Sequence, residues 1–377
     1  GSAIFLVRIF QRMAEDWRRQ HPNKKPSSRT LLSLTLKLHG WDKQANAVRI
    51  GIFSLYIALL EEVEPSAIQA LFDEGKILPT LFGSTMCEYD FFDKSTPDKK
   101  FDLIIGNPPW VSRKKDNVAS ANNWCSLHNL PMPSGELAWA FIWKGLVHIK
   151  SNGIVGFLLP TMGVFLNHSE TTIHARNTWV ERTWIKKVIN FSDFRFQLFD
   201  GAIRPTALCV FKSREEDVNY RLEYWCPKVD RLYQATRMIT LNSGDKIMLS
   251  KATILENPNI WGQYMWMKNR DMKLLGWLSS LPKLGEKLAT YAESKKKAFS
   301  ANATPWIIGQ GFQPWTSEKD KPITSELVPK IPYLDGKKFH SWVIPDGVLN
   351  KPYTAKLRRR GFEKGYLGPH ALIKRGL

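Results

Sequence analysis

Between residues 4 and 213, stretches of apolar residues at helical spacing alternate with short apolar runs that stop at Gly, Asp or Pro. This alternation constrains the fold more than any other feature. Strands separated by helices pair in parallel through crossovers, and the product is an open sheet with helices on both faces. The pattern predicts helices over residues 4–19, 46–63, 136–150 and 168–182. It predicts strands in "LTLKLHGWD", "ILPTLFGS" (77–84), "FDLIIG" (101–106), "GIVGFLLP" (153–160), "IKKVINF" (185–191) and "ALCVFKS" (207–213). The expected class is therefore α/β, a doubly wound and mostly parallel sheet. In such sheets ligands sit beyond the carboxyl ends of the strands.

The pattern weakens after about residue 215. "VNYRLEYWCPKVD" reads as an edge strand. The remainder of the chain is rich in Pro, Gly, Trp and Lys, with basic runs beside aromatics such as "AESKKKAF" and "KLRRRGF". The expected division is a first domain over 1–215, then a mixed α+β region over 216–377. Lys and Arg number 54 against 35 Asp and Glu, a net charge of +19. A surplus of that size favours a polyanionic partner, nucleic acid above all. Cys87, Cys125, Cys209 and Cys226 are scattered without metal-ligand spacing, so a reduced, cytoplasmic chain without a metal is expected. No apolar run reaches the length of a membrane span, and no signal-peptide pattern opens the sequence.

One run asks for chemistry. "IIGNPPWVSR" places Asn107, Pro108, Pro109 and Trp110 directly after an apolar strand. Proline has no N–H, so this turn is stiff and presents acceptors without competing backbone donors at the prolines. The Asn107 side-chain oxygen adds a further acceptor, and Trp110 adds a flat ring. The set suits a planar group carrying an amine with two hydrogens, such as the exocyclic amine of a nucleobase. Two acceptors can draw those hydrogens out of the ring plane, localise the nitrogen lone pair and aim it at an electrophile, and Trp110 can stack on the base. A strand-ending turn beside a core tryptophan is the structural alternative. Lys114 and Lys115 come next in the same loop as candidate phosphate contacts or solvated side chains. Asp102, at the head of the strand, reads as structural, and Glu136 as a helix N-terminal acid. None of the eight histidines is assigned a role.

An apolar strand running into Asn-Pro-Pro-aromatic resembles the catalytic motif of amino-group methyltransferases. The resemblance is closest to adenine-N6 DNA methyltransferases of restriction–modification and phage-defence systems, the type IIG-like group. "HGWDKQANAVRIGIFSLYIAL", "SNGIVGFLLP" and "FQLFDGAIRPTALCVF" extend it over residues 1–213, and "GPHALIKRG" is more weakly similar to the entry to that group's target-recognition region. The resemblance implies a class I methyltransferase fold, S-adenosyl-L-methionine as cofactor, and double-stranded DNA as partner. It also implies association with a nuclease domain or with defence-complex subunits, and no membrane. By the same resemblance, Asn107, Pro108, Pro109 and Trp110 form the catalytic turn. Gly1, Ser2, Ala3 and Phe5 fall in the cofactor loop, which the chain is expected to enter part-way, without the strand before it. Asp42 would hold the cofactor ribose, although an Asp after a strand is also a common turn or cap residue. Gly83 and Ser84 stand where the family has Gly-Asp at the cofactor adenine. Ala3 for a glycine and Ser84 for an acid are departures that bear on cofactor affinity and not on the fold.

Four other functions fit parts of this pattern. Asn-Pro-Pro-aromatic also occurs in RNA base methyltransferases and in protein-glutamine methyltransferases. A non-catalytic DNA-binding module that keeps the fold is the reading from a different class. A dinucleotide dehydrogenase fits least, because no G-x-G-x-x-G comes after a strand.

Overall fold

The computed structural model describes residues 3–73, 78–93, 97–110, 118–199, 204–213, 220–282, 288–290, 306–316, 321–336 and 349–367. These divide into two compact units, Gly1–Arg270 and Asp271–Leu377.

The first unit opens with three helices, α1 (Ile4–Gln20), α2 (Ser28–Thr35) and α3 (Ala45–Glu62). Strand β1 (Gly40–Asp42) lies between α2 and α3. Helix α4 (Pro65–Asp73) leads to β2 (Met86–Glu88), which pairs with β1 in parallel. A first core forms here around Phe10, Leu31, Leu55 and Met86. Of the strand expected in "LTLKLHGWD" only Gly40–Asp42 is strand, while Leu34 and Thr35 close α2 and residues 36–39 link the two. Leu31, Leu34 and Leu38 are buried at helical spacing while Leu36 faces out, and Ser27 caps the helix by accepting from the Thr30 N–H at 3.2 Å. The alternation of Leu34, Leu36 and Leu38 is a coincidence of two periods. The strand expected at 77–84 also moves. Residues 78–85 form a turn with Gly83 at φ 75°, and the strand comes after it as β2. That backbone conformation suits glycine and does not continue a strand.

Strand β3 (Phe101–Gly106) starts a six-stranded sheet. Helices α5 (Ala119–Leu127) and α6 (Leu137–Val147) come next, then β4 (Ile149–Pro160), a π-helical turn over Met162–Leu166, α7 (Glu170–Arg182), β5 (Thr183–Asn190), β6 (Thr206–Ser213) and β7 (Arg221–Trp225). Helix α8 (Arg231–Thr236) precedes β8 (Lys246–Ser250), and α9 (Lys251–Glu256) and α10 (Ile260–Trp266) complete the run. The strand order is β3-β4-β6-β5-β7-β8. Pairs β3/β4 and β5/β7 are parallel, while β4/β6, β5/β6 and β7/β8 are antiparallel. The α/β class stands, with mixed pairing where the pattern predicts mostly parallel strands. β7 lies inside the sheet, between β5 and β8, and not at its edge. The sheet thus runs on past residue 215.

The main core lies between this sheet and helices α6 and α7, filled by Trp139, Trp143, Trp179, Phe165 and Phe211. Helix α6 is buried almost all round, which its uniformly apolar sequence requires. Gly145 lets it approach β4, since a Cβ there would meet the Phe157 ring at 3.2 Å. Among the described residues β3 pairs on one side only, and its other edge is open. Leu103 and Ile105, apolar side chains of a strand type usually buried on both faces, are 48% and 38% exposed. Arg176 on α7 is fully buried. Its guanidinium donates to the carbonyls of Phe165 at 2.7 Å, Val164 at 3.1 Å and Pro258 at 3.3 Å, which ties the turn after β4 to the segment before α10. Burial lowers its pKa to about 10.

The second unit has short elements. β9 (Leu288–Thr290) pairs in parallel with β10 (Trp306–Ile308), and β11 (Gln313–Pro314) pairs antiparallel with β12 (Leu357–Arg359). Phe312, Tyr333 and Tyr353 form an aromatic triplet with centroids 5.4–5.8 Å apart. Among the described residues, no helix is long and apolar enough to cross a membrane.

Replacing Arg176 by Leu leaves several buried carbonyls without a donor. We expect a loss of about 2–3 kcal/mol in urea unfolding at unchanged m-value. A loss below about 0.5 kcal/mol would show that the carbonyls find other partners.

Candidate active site

Strand β3 ends at Gly106, and the turn Asn107–Trp110 projects beyond its carboxyl end. Asn107 and Pro109 are exposed, Pro108 is buried and Trp110 is half-buried. Trp110 is outside the core and is held at three points. Its indole Nε1 donates to the Leu158 carbonyl at 3.4 Å, a long bond. Its ring meets Phe199 edge-on at 5.3 Å, and its own carbonyl accepts from Arg204 Nη1 at 2.8 Å. Arg204 stands at the entry to β6, on a strap anchored to β4 by the Thr161 N–H donating to the Pro205 carbonyl at 2.9 Å and the Thr206 hydroxyl donating to the Leu159 carbonyl at 3.1 Å. A ring fixed this way keeps its orientation without being packed in the core. Arg204 has no signal in the sequence, because an arginine before a proline carries no pattern of its own.

Glu136 is another residue whose role the sequence understates. It is the N-cap of α6, yet it is only 9% exposed, and its Oε1 has no hydrogen-bond partner. Its Oε2 lies against Gly163 of the π-helical turn, where a Cβ would come within 2.9 Å. Burial pushes its carboxyl pKa up, and Arg204 opposes that.

The other predicted residues fall in several places. Asp42 ends β1, and its Oδ1 accepts from the Gln44 N–H at 2.9 Å, the turn-forming contact of an Asp at a strand–helix junction. Ala3 has φ 54° and ψ 26°, the left-handed conformation that glycine takes without strain, and packs its methyl toward Gly51 of α3. It begins α1 without a side-chain cap. Phe5 is 38% exposed on α1. Gly83 and Ser84 lie before β2, at its entering end, and the Ser84 hydroxyl donates to the Thr80 and Leu81 carbonyls within the turn. Gly1, Ser2, Lys114, Lys115 and the "GPHALIKRG" segment lie outside the described residues. Asp102 makes a surface pair with Lys150 at 2.9 Å, as expected of a structural residue.

The acid that leaves the carboxyl end of β2 is Asp90. It accepts from the Phe92 N–H at 3.0 Å, from Lys43 at 3.2 Å and from Ser120 at 3.1 Å. Burial works against its ionisation, but these donors outweigh it and hold the carboxyl below its ordinary value. A strand expected at 77–84 hides this residue, since strand ends locate candidate sites only when the strand is right.

Residues 37–199 match the Eco57I restriction-modification methylase family. The match takes in β1, β2, the Asn107–Trp110 turn, Glu136, α6, β4 and β5, and stops short of Arg204. No curated protein sequence matches the chain. Among solved structures, the chain is similar to a type I restriction-modification methyltransferase subunit from Streptococcus thermophilus, at 15% identity and TM-score 0.41, over 65% of this chain and 55% of that one. It is also similar to the type IIG restriction endonuclease BpuSI, at 13% identity and TM-score 0.41, over 74% of this chain and 32% of that one. A class I S-adenosylmethionine-dependent methyltransferase of Listeria monocytogenes matches at 14% identity and TM-score 0.33, over 56% and 60% of the two chains. The chain thus spans 55% and 60% of the two methyltransferases and about a third of the endonuclease, and likenesses this distant transfer no residue role. The methylase match includes the turn that stands at the end of β3.

The Asp90 network carries a pH signature. Its folded pKa is depressed, so its stabilisation is present above the ordinary carboxyl pKa and lost as pH falls through the lower folded value. We expect Asp90→Asn to flatten the acid limb of the stability–pH curve, measured by thermal unfolding. An unchanged acid limb would remove Asp90 from the account.

Proposed function

We propose that this chain is the catalytic part of a DNA methyltransferase that methylates the N6 amine of an adenine flipped out of the duplex. The observation that carries the proposal is the Asn107–Trp110 turn, an acceptor-rich turn beyond a strand's carboxyl end whose tryptophan is held by Leu158, Phe199 and, at its backbone, Arg204. The match of residues 37–199 to a restriction–modification methylase family supports it.

The residues present fit S-adenosyl-L-methionine in kind. The uncapped N-terminus of α1, entered through left-handed Ala3, favours a carboxylate. Asp42 and Asp90, at the ends of β1 and β2, offer acceptors to hydroxyl and amine groups, and Gly1, Ser2, Phe5, Gly83 and Ser84 are further candidates by sequence. The cofactor would supply an electrophilic methyl group. Asn107 Oδ1 and the Pro108 carbonyl accept the two hydrogens of the amine and so aim the nitrogen lone pair. Pro109 stiffens the turn, and Trp110 stacks on the base. The net charge of +19 supports double-stranded DNA as the partner, through phosphate contacts that weaken with salt. A nuclease domain or defence-complex subunits would be further partners, the setting would be cytoplasmic, and the target-recognition part would begin after Arg270 and not near residue 215, since the sheet runs through that point. The alternative class, a DNA-binding module without catalysis, is favoured by the methyl group at Ala3.

Asn107→Ala is expected to abolish methyl transfer to DNA while leaving duplex affinity within about 1–2 kcal/mol. Radiolabelled methyl transfer and fluorescence anisotropy measure the two quantities. Retained transfer would sink the catalytic assignment. Calorimetric titration with S-adenosylmethionine, on this chain and on a form extended upstream by one strand, separates an enzyme from a binding module. Binding in neither would favour the module.

A further inference from the structure

Asp90 leaves the carboxyl end of β2, and Phe91 and Phe92 come directly after it. Helix α6 grips both rings from one face. Phe141 stacks on Phe91 at 5.2 Å and meets Phe92 edge-on at 5.0 Å. Lys144, one turn on, is 5% exposed, and its ammonium stands 5.4 Å from the Phe91 ring centroid and 5.7 Å from that of Phe92. A third ring, Trp124 of α5, lies 5.5 Å from the same ammonium. Helix α5 also reaches Asp90, since Ser120, one turn before Trp124, donates to its Oδ2 at 3.1 Å. The Phe92 N–H donates to Oδ1 at 3.0 Å, and Lys43 donates to Oδ2 at 3.2 Å. The loop, α5 and α6 thus meet around one buried cation. Taking an ammonium out of water is costly, and an apolar side chain of similar length would fill the space without that cost. Burial works against the Lys144 charge, and Asp90 and Asp93 favour it.

We propose that Lys144 is a positioning residue for Asp90. Its charge draws the faces of Phe91, Phe92 and Trp124 together around it. The rings of Phe91 and Phe92 fix the loop backbone, and with it the Phe92 N–H on Oδ1. The ring of Trp124 fixes α5, and with it the Ser120 hydroxyl on Oδ2. The carboxylate is thereby held in one orientation at the end of β2, where it can accept from a hydroxyl or amine of a bound cofactor. A neutral side chain of similar volume keeps the packing and loses the attraction. Arginine keeps the attraction, because a guanidinium also sits over ring faces. The service of Asp90 to a cofactor rests on the function proposed above, but the coupling between Lys144 and Asp90 does not.

Hydrogen exchange of the Phe92 amide, followed by NMR, reads the bond to Asp90 directly. In Lys144→Met we expect this amide to exchange about tenfold faster, with the amides of β4 and β6 unchanged as the control for global stability. Lys144→Arg should restore most of the protection. Trp124→Leu removes one ring of the cage and should speed the same amide, so the coupling is also read without touching Lys144. The second readout is calorimetric titration with S-adenosylmethionine, in whichever of the two forms above binds it. Lys144→Met should weaken binding about tenfold, the scale of one hydrogen bond to a charged group, and should add nothing in an Asp90→Asn background. A Phe92 amide equally protected in Lys144→Met, or a loss that Lys144→Arg does not reverse, overturns the proposal. Additive losses in the double variant overturn it as well. If neither form binds S-adenosylmethionine while the exchange pattern holds, the coupling stands and the methyltransferase reading falls.

Discussion

The arrangement of the candidate site depends on the backbone pairing of β4. This twelve-residue strand is held on one side by β3 in parallel and on the other by β6 antiparallel. The parallel register, Gly106 opposite Phe157, fixes where β3 stops and therefore where Asn107 begins. The antiparallel register, Pro160 opposite Thr206, fixes the strap that carries Arg204. β4 itself offers its Leu158 carbonyl to the Trp110 indole and its Leu159 carbonyl to Thr206. One strand thus sets the position of the turn, of the ring and of the arginine that clamps them. A slip of one residue in either register would reverse the facing of every side chain on the slipped strand, so the core around Phe157, Leu159 and Phe211 protects the geometry at the strand's end.

The limits of the sequence reflect the same distinction between local and non-local forces. The strands that form the spine, over residues 101–106, 153–160, 185–191 and 207–213, are long apolar runs bounded by Gly, Pro or polar residues, and each appears within a few residues of its expected place. The two short strands of the small sheet are not legible in this way. With three residues each, they have too little length for a period to show, and their pairing comes from packing against α3 and not from propensity. Asn107–Trp110 is legible because two prolines act through covalent geometry, which no tertiary contact can remove. Arg204 and Phe199 are not, because they meet Trp110 only after β6 has folded back beside β4. Antiparallel pairing of β6 between β4 and β5 is likewise a non-local outcome that a strand–helix alternation does not announce.

The charge surplus has a similar double character. Much of it faces solvent, but several cations are built into the fold. Arg176 is sunk among carbonyls. Lys144 is buried against three aromatic rings, and Lys212 is buried at 4.7 Å from the Trp184 ring. Across β5, β7 and β8, Lys187 and Lys246 both reach Glu223, at 3.1 and 2.8 Å, while both also stand over Trp225. These pairs hold the Glu223 carboxyl down at about 2, through bonds from Lys246 first and then from Trp225 and Lys187. Part of the basic composition is therefore structural, a way of covering a sheet face with amphipathic stems and rings in place of a helix.

A cation placed over rings and carbonyls retains its charge without needing an acid, which leaves the acids free for other uses. The described part of the first unit shows this economy at the candidate site. Asp90 gathers a lysine, a serine and a backbone N–H, whereas Glu136 is left with one oxygen free. The two carboxylates are pushed in opposite directions, Asp90 down by its donors and Glu136 up by burial. Divergent environments are how a protein gives one acid a constant charge and another a conditional one. Asp90 keeps its charge through the physiological range and holds its loop at the end of β2. Glu136, buried against Gly163 with one oxygen unpartnered, is the acid that gives its charge up more readily.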